Sequence, residues 1–111
     1  MSEALDVARE FIAAANRGDV SELLAALAPE ARVEMAGAVY EGRESAVHRF
    51  FVPWVVDVAG RYRETGAPTE DRPGEVAVGY RFATPRGLRE DLVYTYRVNM
   101  GHITEIVGRF A

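Results

Sequence analysis

Apolar residues recur every three or four positions through the first half of the chain and every second position through most of the rest. Leu5, Ala8, Ile12 and Ala15 follow helical spacing with Phe11 beside them, while Asp6, Arg9, Ala13 and Arg17 take the opposite side. This predicts an amphipathic helix over Glu3–Arg17. Gly18 stops it, since glycine accepts the left-handed conformation that closes helices. Asp19-Val20-Ser21-Glu22 has the form of a capping box. A second helix therefore follows, with Val20, Leu23, Leu24 and Leu27 on its apolar face and Pro29 as its end. Val33 and Met35 alternate with Arg32 and Glu34, predicting a short half-buried strand over 31–36, and Val39-Tyr40-Glu41 makes a second, closed by Gly42. Ala46, Val47, Phe50, Phe51, Trp54, Val55 and Val58 share one broad face of a third helical segment ending at Gly60. Pro53 lies inside it; its missing N–H and its ring predict a kink, or two short helices with Pro53 in the first turn of the second.

Strands and turns follow. Residues 62–65 form a short candidate strand. Arg72-Pro73-Gly74-Glu75 fits a type II turn, with proline second and glycine third. Over 75–82, Val76, Val78, Tyr80 and Phe82 alternate with Ala77, Gly79 and Arg81. Thr84-Pro85-Arg86-Gly87 is another turn. Over 89–99, Leu92, Tyr94, Tyr96 and Val98 alternate with Val93, Thr95 and Arg97. Met100-Gly101 makes a hairpin turn, and 102–110 returns with Thr104, Ile106, Gly108 and Phe110 on one face. Helices first and a meander of strands later is an α+β pattern. The short links predict antiparallel pairing throughout.

Composition narrows the function classes. The 111 residues suit one domain, and 49% hydrophobic with 27% charged residues is a globular balance, not a disordered one. No apolar run approaches the roughly 20 residues of a membrane helix. The acidic start, Met1-Ser2-Glu3-Ala4-Leu5-Asp6, lacks the basic-then-apolar pattern of a signal peptide, so a cytoplasmic location is expected. Cysteine is absent, which excludes disulfides, thiolate nucleophiles and zinc–cysteine sites. His48 and His102 have no ligand-spaced partners, so neither a metal nor a cofactor is expected. All 13 basic residues are arginine, scattered among 17 acids for a net charge of −4. Without a basic stripe along the chain, nucleic acid is not an expected partner. No glycine-rich phosphate loop or Ser/His/Asp motif occurs.

Four phrases carry a family resemblance. Phe11-Ile12-Ala13-Ala14-Ala15-Asn16-Arg17-Gly18-Asp19 is an apolar run closed by Asn-x-Gly-Asp. Leu27-Ala28-Pro29-Glu30-Ala31-Arg32-Val33 leads into the first strand. Tyr40-Glu41-Gly42-Arg43-Glu44-Ser45-Ala46-Val47 opens the third helix. Gly101-His102-Ile103-Thr104-Glu105-Ile106 precedes the last strand. In their order and spacing, over nearly the whole chain, they resemble the NTF2-like superfamily, the cone-shaped fold of SnoaL-type polyketide cyclases and ketosteroid isomerases. The resemblance implies an α+β fold with three N-terminal helices packed on a curved antiparallel sheet enclosing a pocket. Such a pocket is mostly apolar with a few polar groups and would take a small apolar molecule. The residues carried over as its lining are Phe11, Val33, Met35, Trp54, Val78, Tyr80, Phe82, Tyr94, Tyr96, Ile106 and Phe110. The resemblance also implies a homodimer, for which the outer sheet residues Val93, Thr95 and Val107 are apolar enough.

The resemblance does not bring known catalytic residues with it. The steroid isomerases use an aspartate base, a tyrosine and a protonated aspartate; those positions fall on Met35, Phe11 and Tyr94. The epoxide-hydrolase branch carries Trp-Arg-Asp-Tyr in its last strand, where this chain has Ile106-Val107-Gly108-Arg109. Tyr94 is then the candidate hydrogen-bond donor to a carbonyl or enolate oxygen, with Tyr80 and Tyr96 beside it; the plainer alternative is three core aromatics. His48, one turn after Glu44, is a candidate proton carrier or a surface pair. Glu34 points away from the pocket by alternation and becomes its carboxylate if the register slips by one. Glu90 and Asp91 read as rim charges. The expected function is a small-molecule pocket protein: an isomerase or cyclase acting on an apolar ring-containing substrate by acid/base chemistry, or a non-catalytic apolar-ligand-binding or dimeric accessory domain.

Overall fold

The computed structural model describes residues 2–111. Helix α1 spans Glu3–Arg17, as predicted. Ser2 caps it by accepting from the Leu5 N–H, and Gly18 ends it in the left-handed region at φ 68°. Its buried face is mostly alanine (Ala4, Ala8, Ala14, Ala15), so the helix lies close to the sheet, and Phe11 and Ile12 fill the gap. Helix α2, Val20–Ala26, starts at Asp19, whose carboxylate accepts from the Glu22 N–H.

Helix α2 ends before the proline expected to end it. Leu27 is already extended, and β1 runs Leu27–Met35 through Pro29. Leu27 pairs with Ile103, and the register shifts before Arg32, so Pro29 and Glu30 sit in an exposed bulge where no ladder hydrogen bond is required. Tertiary pairing, not the proline, sets this boundary. Ala36 and Gly37, both at positive φ, turn β1 into β2, Ala38–Glu41.

The third helical segment is not divided into two helices at Pro53. A short α3, Arg43–Ala46, continues into a π-helical stretch, Val47–Val56, with Pro53 inside it. The i to i−5 pattern is visible where the Asp57 N–H donates to the Val52 carbonyl and the Gly60 N–H to the Val55 carbonyl. The wider turn accommodates a residue that an α-helical ladder would reject. Val47, Phe51 and Val55 are buried, whereas Trp54 and Val58, placed on the same face from sequence, are exposed.

The sheet has six strands in the order β2-β1-β6-β5-β4-β3, with β3 Arg61–Arg72, β4 Glu75–Ala83, β5 Arg89–Asn99 and β6 His102–Phe110. It is mixed, not wholly antiparallel: β1 and β6 pair in parallel. Short links dictate antiparallel pairing only for neighbours in sequence, and most of the chain separates these two strands. Strand β3 extends well beyond the predicted 62–65, through Gly66 and Pro68, because it is the edge strand and bulges where its register shifts. In β6 a bulge between the Glu105 and Ile103 pairings turns Ile103 and Ile106 both inward. It displaces Thr104, expected inside, onto the Arg97 carbonyl, to which its hydroxyl donates. Val93, Thr95 and Val107 lie on the outer face, away from the buried row of Tyr94, Tyr96 and Ile106.

Candidate functional site

The inner face of the sheet carries a continuous aromatic layer. Tyr62 stands edge-on to Tyr80 and Tyr94, and Tyr94 edge-on to Tyr80 and Tyr96, with ring centroids 5.4–6.1 Å apart. Phe11 of α1 extends it, edge-on to both Tyr96 and Phe51. The four phenols form two hydroxyl pairs: Tyr62 with Tyr94 at 2.6 Å and Tyr80 with Tyr96 at 2.8 Å. Burial raises the pKa of all four, because a phenolate in this layer would lack water. They are neutral hydrogen-bonding groups across the ordinary pH range.

A cavity of about 380 Å³ opens beside this layer. Phe50, Trp54 and Val55 of the π-helical stretch form one wall; Met35, Tyr62, Phe82, Leu92, Tyr94 and Gly108 of the sheet form the other. Trp54, Leu88 and Phe110 are exposed by 64%, 48% and 64% and mark the side where the cavity meets solvent. Glu90 and Arg109 are the charged residues of the lining. Neither makes an ion pair among the described residues. Gly108 is needed here: it pairs directly with Tyr94, and a Cβ on it would lie 2.9 Å from the Tyr94 ring and against the Met35 sulfur. Gly60 makes room for the Phe82 ring in the same way.

Two contacts from α1 hold Tyr62 in place. The Asn16 amide donates to the Tyr62 carbonyl at 3.0 Å and accepts from its N–H at 2.7 Å, replacing the neighbour that an edge strand lacks. Two residues on, Arg9 grips Glu64 through Nε and Nη2 at 2.8 and 3.1 Å. Asn16 belongs to the Asn-x-Gly-Asp phrase that carried the family resemblance.

The residues predicted as pocket lining divide into two groups. Met35, Trp54, Phe82, Tyr94 and Phe110 line the cavity. Phe11, Val33, Val78, Tyr80, Tyr96 and Ile106 lie in the filled core, at most 1% exposed, because α1 packs against that part of the sheet and leaves no space. The two proton-carrier candidates stand elsewhere. Glu34 is on the outer face, paired with Arg32 at 3.3 Å, since the register keeps Met35 inside. His48 meets Glu44 at 3.4 Å on an exposed helix surface and does not line the cavity. Nine lining residues were not among those carried over: Ala36, Phe50, Val55, Tyr62, Leu88, Glu90, Leu92, Gly108 and Arg109. A signal for Glu90 existed, because extending the inward row Tyr96, Tyr94, Leu92 back by two positions reaches it.

The sequence pattern of the SnoaL-like domain matches residues 8–106. The chain belongs to the SnoaL-like family. Solved structures agree on the fold. A Mycobacterium tuberculosis protein in complex with estradiol-17β-hemisuccinate is 21% identical with a TM-score of 0.83, covering all of this chain and 95% of that one. A computationally designed 17-OHP binder is 20% identical with a TM-score of 0.87, covering all of this chain and 92% of that one. A candidate polyketide cyclase from Sinorhizobium meliloti is 21% identical with a TM-score of 0.83, covering 94% of each chain. No curated protein matches the sequence. The SnoaL-like chain thus has the NTF2-like α+β architecture, with three helical segments and a six-stranded mixed sheet.

Proposed function

We propose that this SnoaL-like domain binds an apolar, ring-containing small molecule in the cavity beneath Trp54, and that the Tyr62–Tyr94 pair is its polar anchor. One observation carries this reading. The cavity lining is apolar except for Tyr62 and Tyr94, whose hydroxyls pair with each other, and the charged residues Glu90 and Arg109. A pair of phenols has two O–H protons and uses one between its oxygens, so the other is free to donate to a carbonyl or hydroxyl oxygen of the guest. A volume of about 380 Å³ lies within the range of small-molecule sites. Two proteins of the same fold, one in complex with estradiol-17β-hemisuccinate and one designed as a 17-OHP binder, support the chemical class.

Trp54 is the sole tryptophan and reports on the cavity directly. Titration with estradiol-17β-hemisuccinate is expected to change its emission saturably. Tyr94→Phe should weaken the binding about 5- to 10-fold, the scale of one hydrogen bond made away from water. A saturable response whose affinity is the same in Tyr94→Phe would remove the anchor from the proposal, and no response from any ring-containing ketone or alcohol would remove the pocket.

Acid/base turnover, as isomerisation or cyclisation, is the second reading, and Glu90 favours it. It is the one carboxylate on the lining and has no ion-pair partner among the described residues. It would carry the proton while Tyr94 donates to the developing oxyanion. On a substrate that turns over, Tyr94→Phe should reduce kcat about 10²-fold, and Glu90→Gln should abolish turnover while preserving binding.

A further inference from the structure

The opposite face of the same strands concentrates positive charge that is scattered in the sequence. Arg61 and Arg63 of β3, Arg81 of β4 and Arg89 of β5 surround a hollow of about 300 Å³ whose floor is Ala83. The register explains the grouping. Ala83 lies directly between Arg61 and Arg89, and Arg63 lies directly opposite Arg81. A small side chain at the centre leaves space that a larger one would fill.

The carboxylates that follow two of these arginines in sequence do not neutralise them. Glu64 follows Arg63 and Glu90 follows Arg89, and strand alternation sends both to the inner face. There Glu64 is held by Arg9, and Glu90 lines the cavity. Asp91 alone answers the cluster, pairing with Arg81 at 3.1 Å. Arg63 and Arg89 make no ion pair among the described residues. Like charges directly across a strand pair oppose folding, and here they do so in a chain whose net charge is −4. A local arrangement that works against stability points to a use.

We propose that this hollow is a binding site for a compact multivalent oxyanion, a phosphoryl or diphosphoryl group of a small soluble molecule. Guanidinium forks match such oxygens in pairs. Size and surroundings select a compact anion over a nucleic acid. Further along the same outer face the chain runs Glu75, Arg97, Glu105, Arg32, Glu34 and Glu41 in linked ion pairs, with carboxylates in the majority. That row repels an extended polyanion and offers it no continuous basic track. The proposal is independent of the cavity reading, since the two sites lie on opposite faces of the sheet.

Isothermal titration of the full chain with pyrophosphate at low ionic strength tests it. Saturable one-to-one binding is expected. The Arg63→Gln/Arg89→Gln double variant should bind at least about tenfold more weakly, because two charge-assisted contacts are lost. It should melt at the same temperature as the parent or higher, because like-charge repulsion is relieved. Arg49→Gln, on the exposed side of the π-helical stretch, should leave the affinity unchanged. The proposal is overturned if pyrophosphate shows no saturable binding, or if the double variant and the parent bind it equally. It is also overturned if duplex DNA or phosphatidylglycerol vesicles bind while pyrophosphate does not.

Discussion

Removing one hydroxyl from the Tyr80–Tyr96 pair should cost more than removing both. The two oxygens are 2.8 Å apart, and the residues are 1% and 0% exposed. Neither lines the cavity, so water does not replace a lost partner. In Tyr80→Phe the Tyr96 hydroxyl is left buried without a bond, and Tyr96→Phe does the same to Tyr80. An orphaned buried hydroxyl costs about 1–3 kcal/mol, so each single variant should lose about 2 kcal/mol. The double variant leaves no polar group behind and keeps the edge-on ring contacts, so it should lose only about 1 kcal/mol. Urea denaturation followed by far-UV circular dichroism measures all four proteins. A shift of roughly 4 °C per kcal/mol in melting temperature gives an independent reading. The same cycle on Tyr62 and Tyr94 should show smaller single losses, about 1 kcal/mol, because the cavity beside them admits water. Additivity within about 0.5 kcal/mol in the Tyr80–Tyr96 cycle would refute the reasoning, since it would mean that the hydroxyls do not depend on each other.

Two further outcomes follow from the same layer. Burial raises the pKa of Tyr62, Tyr80, Tyr94 and Tyr96 in the folded state; stability is therefore intact below the unfolded tyrosine pKa of about 10 and lost above it, by up to about 1.4 kcal/mol per pH unit for each phenol. Tyrosinate absorbance from these four should appear together with the loss of circular dichroism, and its appearance in a folded protein near pH 10 would contradict their burial. Gly108→Ala should destabilise by about 1–3 kcal/mol, the cost of overpacking. It should also weaken ligand binding by pushing the Tyr94 ring into the cavity; a variant as stable as the parent, with the same affinity, would show that the strand yields instead.

Local chemistry made much of the framework legible in advance. The Glu3–Arg17 helix, the Gly18 and Asp19 boundaries and the Arg89–Asn99 and His102–Phe110 strands each depend on residues within a turn or two of one another. The Met100–Gly101 hairpin is equally local, with both residues at positive φ. The inward row of β5 was legible for the same reason, because alternation is a property of the strand itself. Features that depend on distant partners were not. The early end of α2, the parallel β1–β6 pair and the bulge that displaces Thr104 come from pairing between segments far apart in the chain. So does the length of β3, which runs on through Gly66 and Pro68 at a sheet edge.

The candidate sites divide along the same line. From the sequence alone came the helical cover, the alternating strands and an aromatic row with Tyr94 in it, because each is written in the spacing of neighbouring residues. Tertiary structure decided which aromatics bound a cavity and which fill the core, through how closely the alanine face of α1 approaches the sheet. It also decided that Tyr62 meets Tyr94, that Glu90 lies beside them, and that four separated arginines meet on the outer face. Each of these meetings is a matter of strand register and packing distance, and neither exists until the chain has folded.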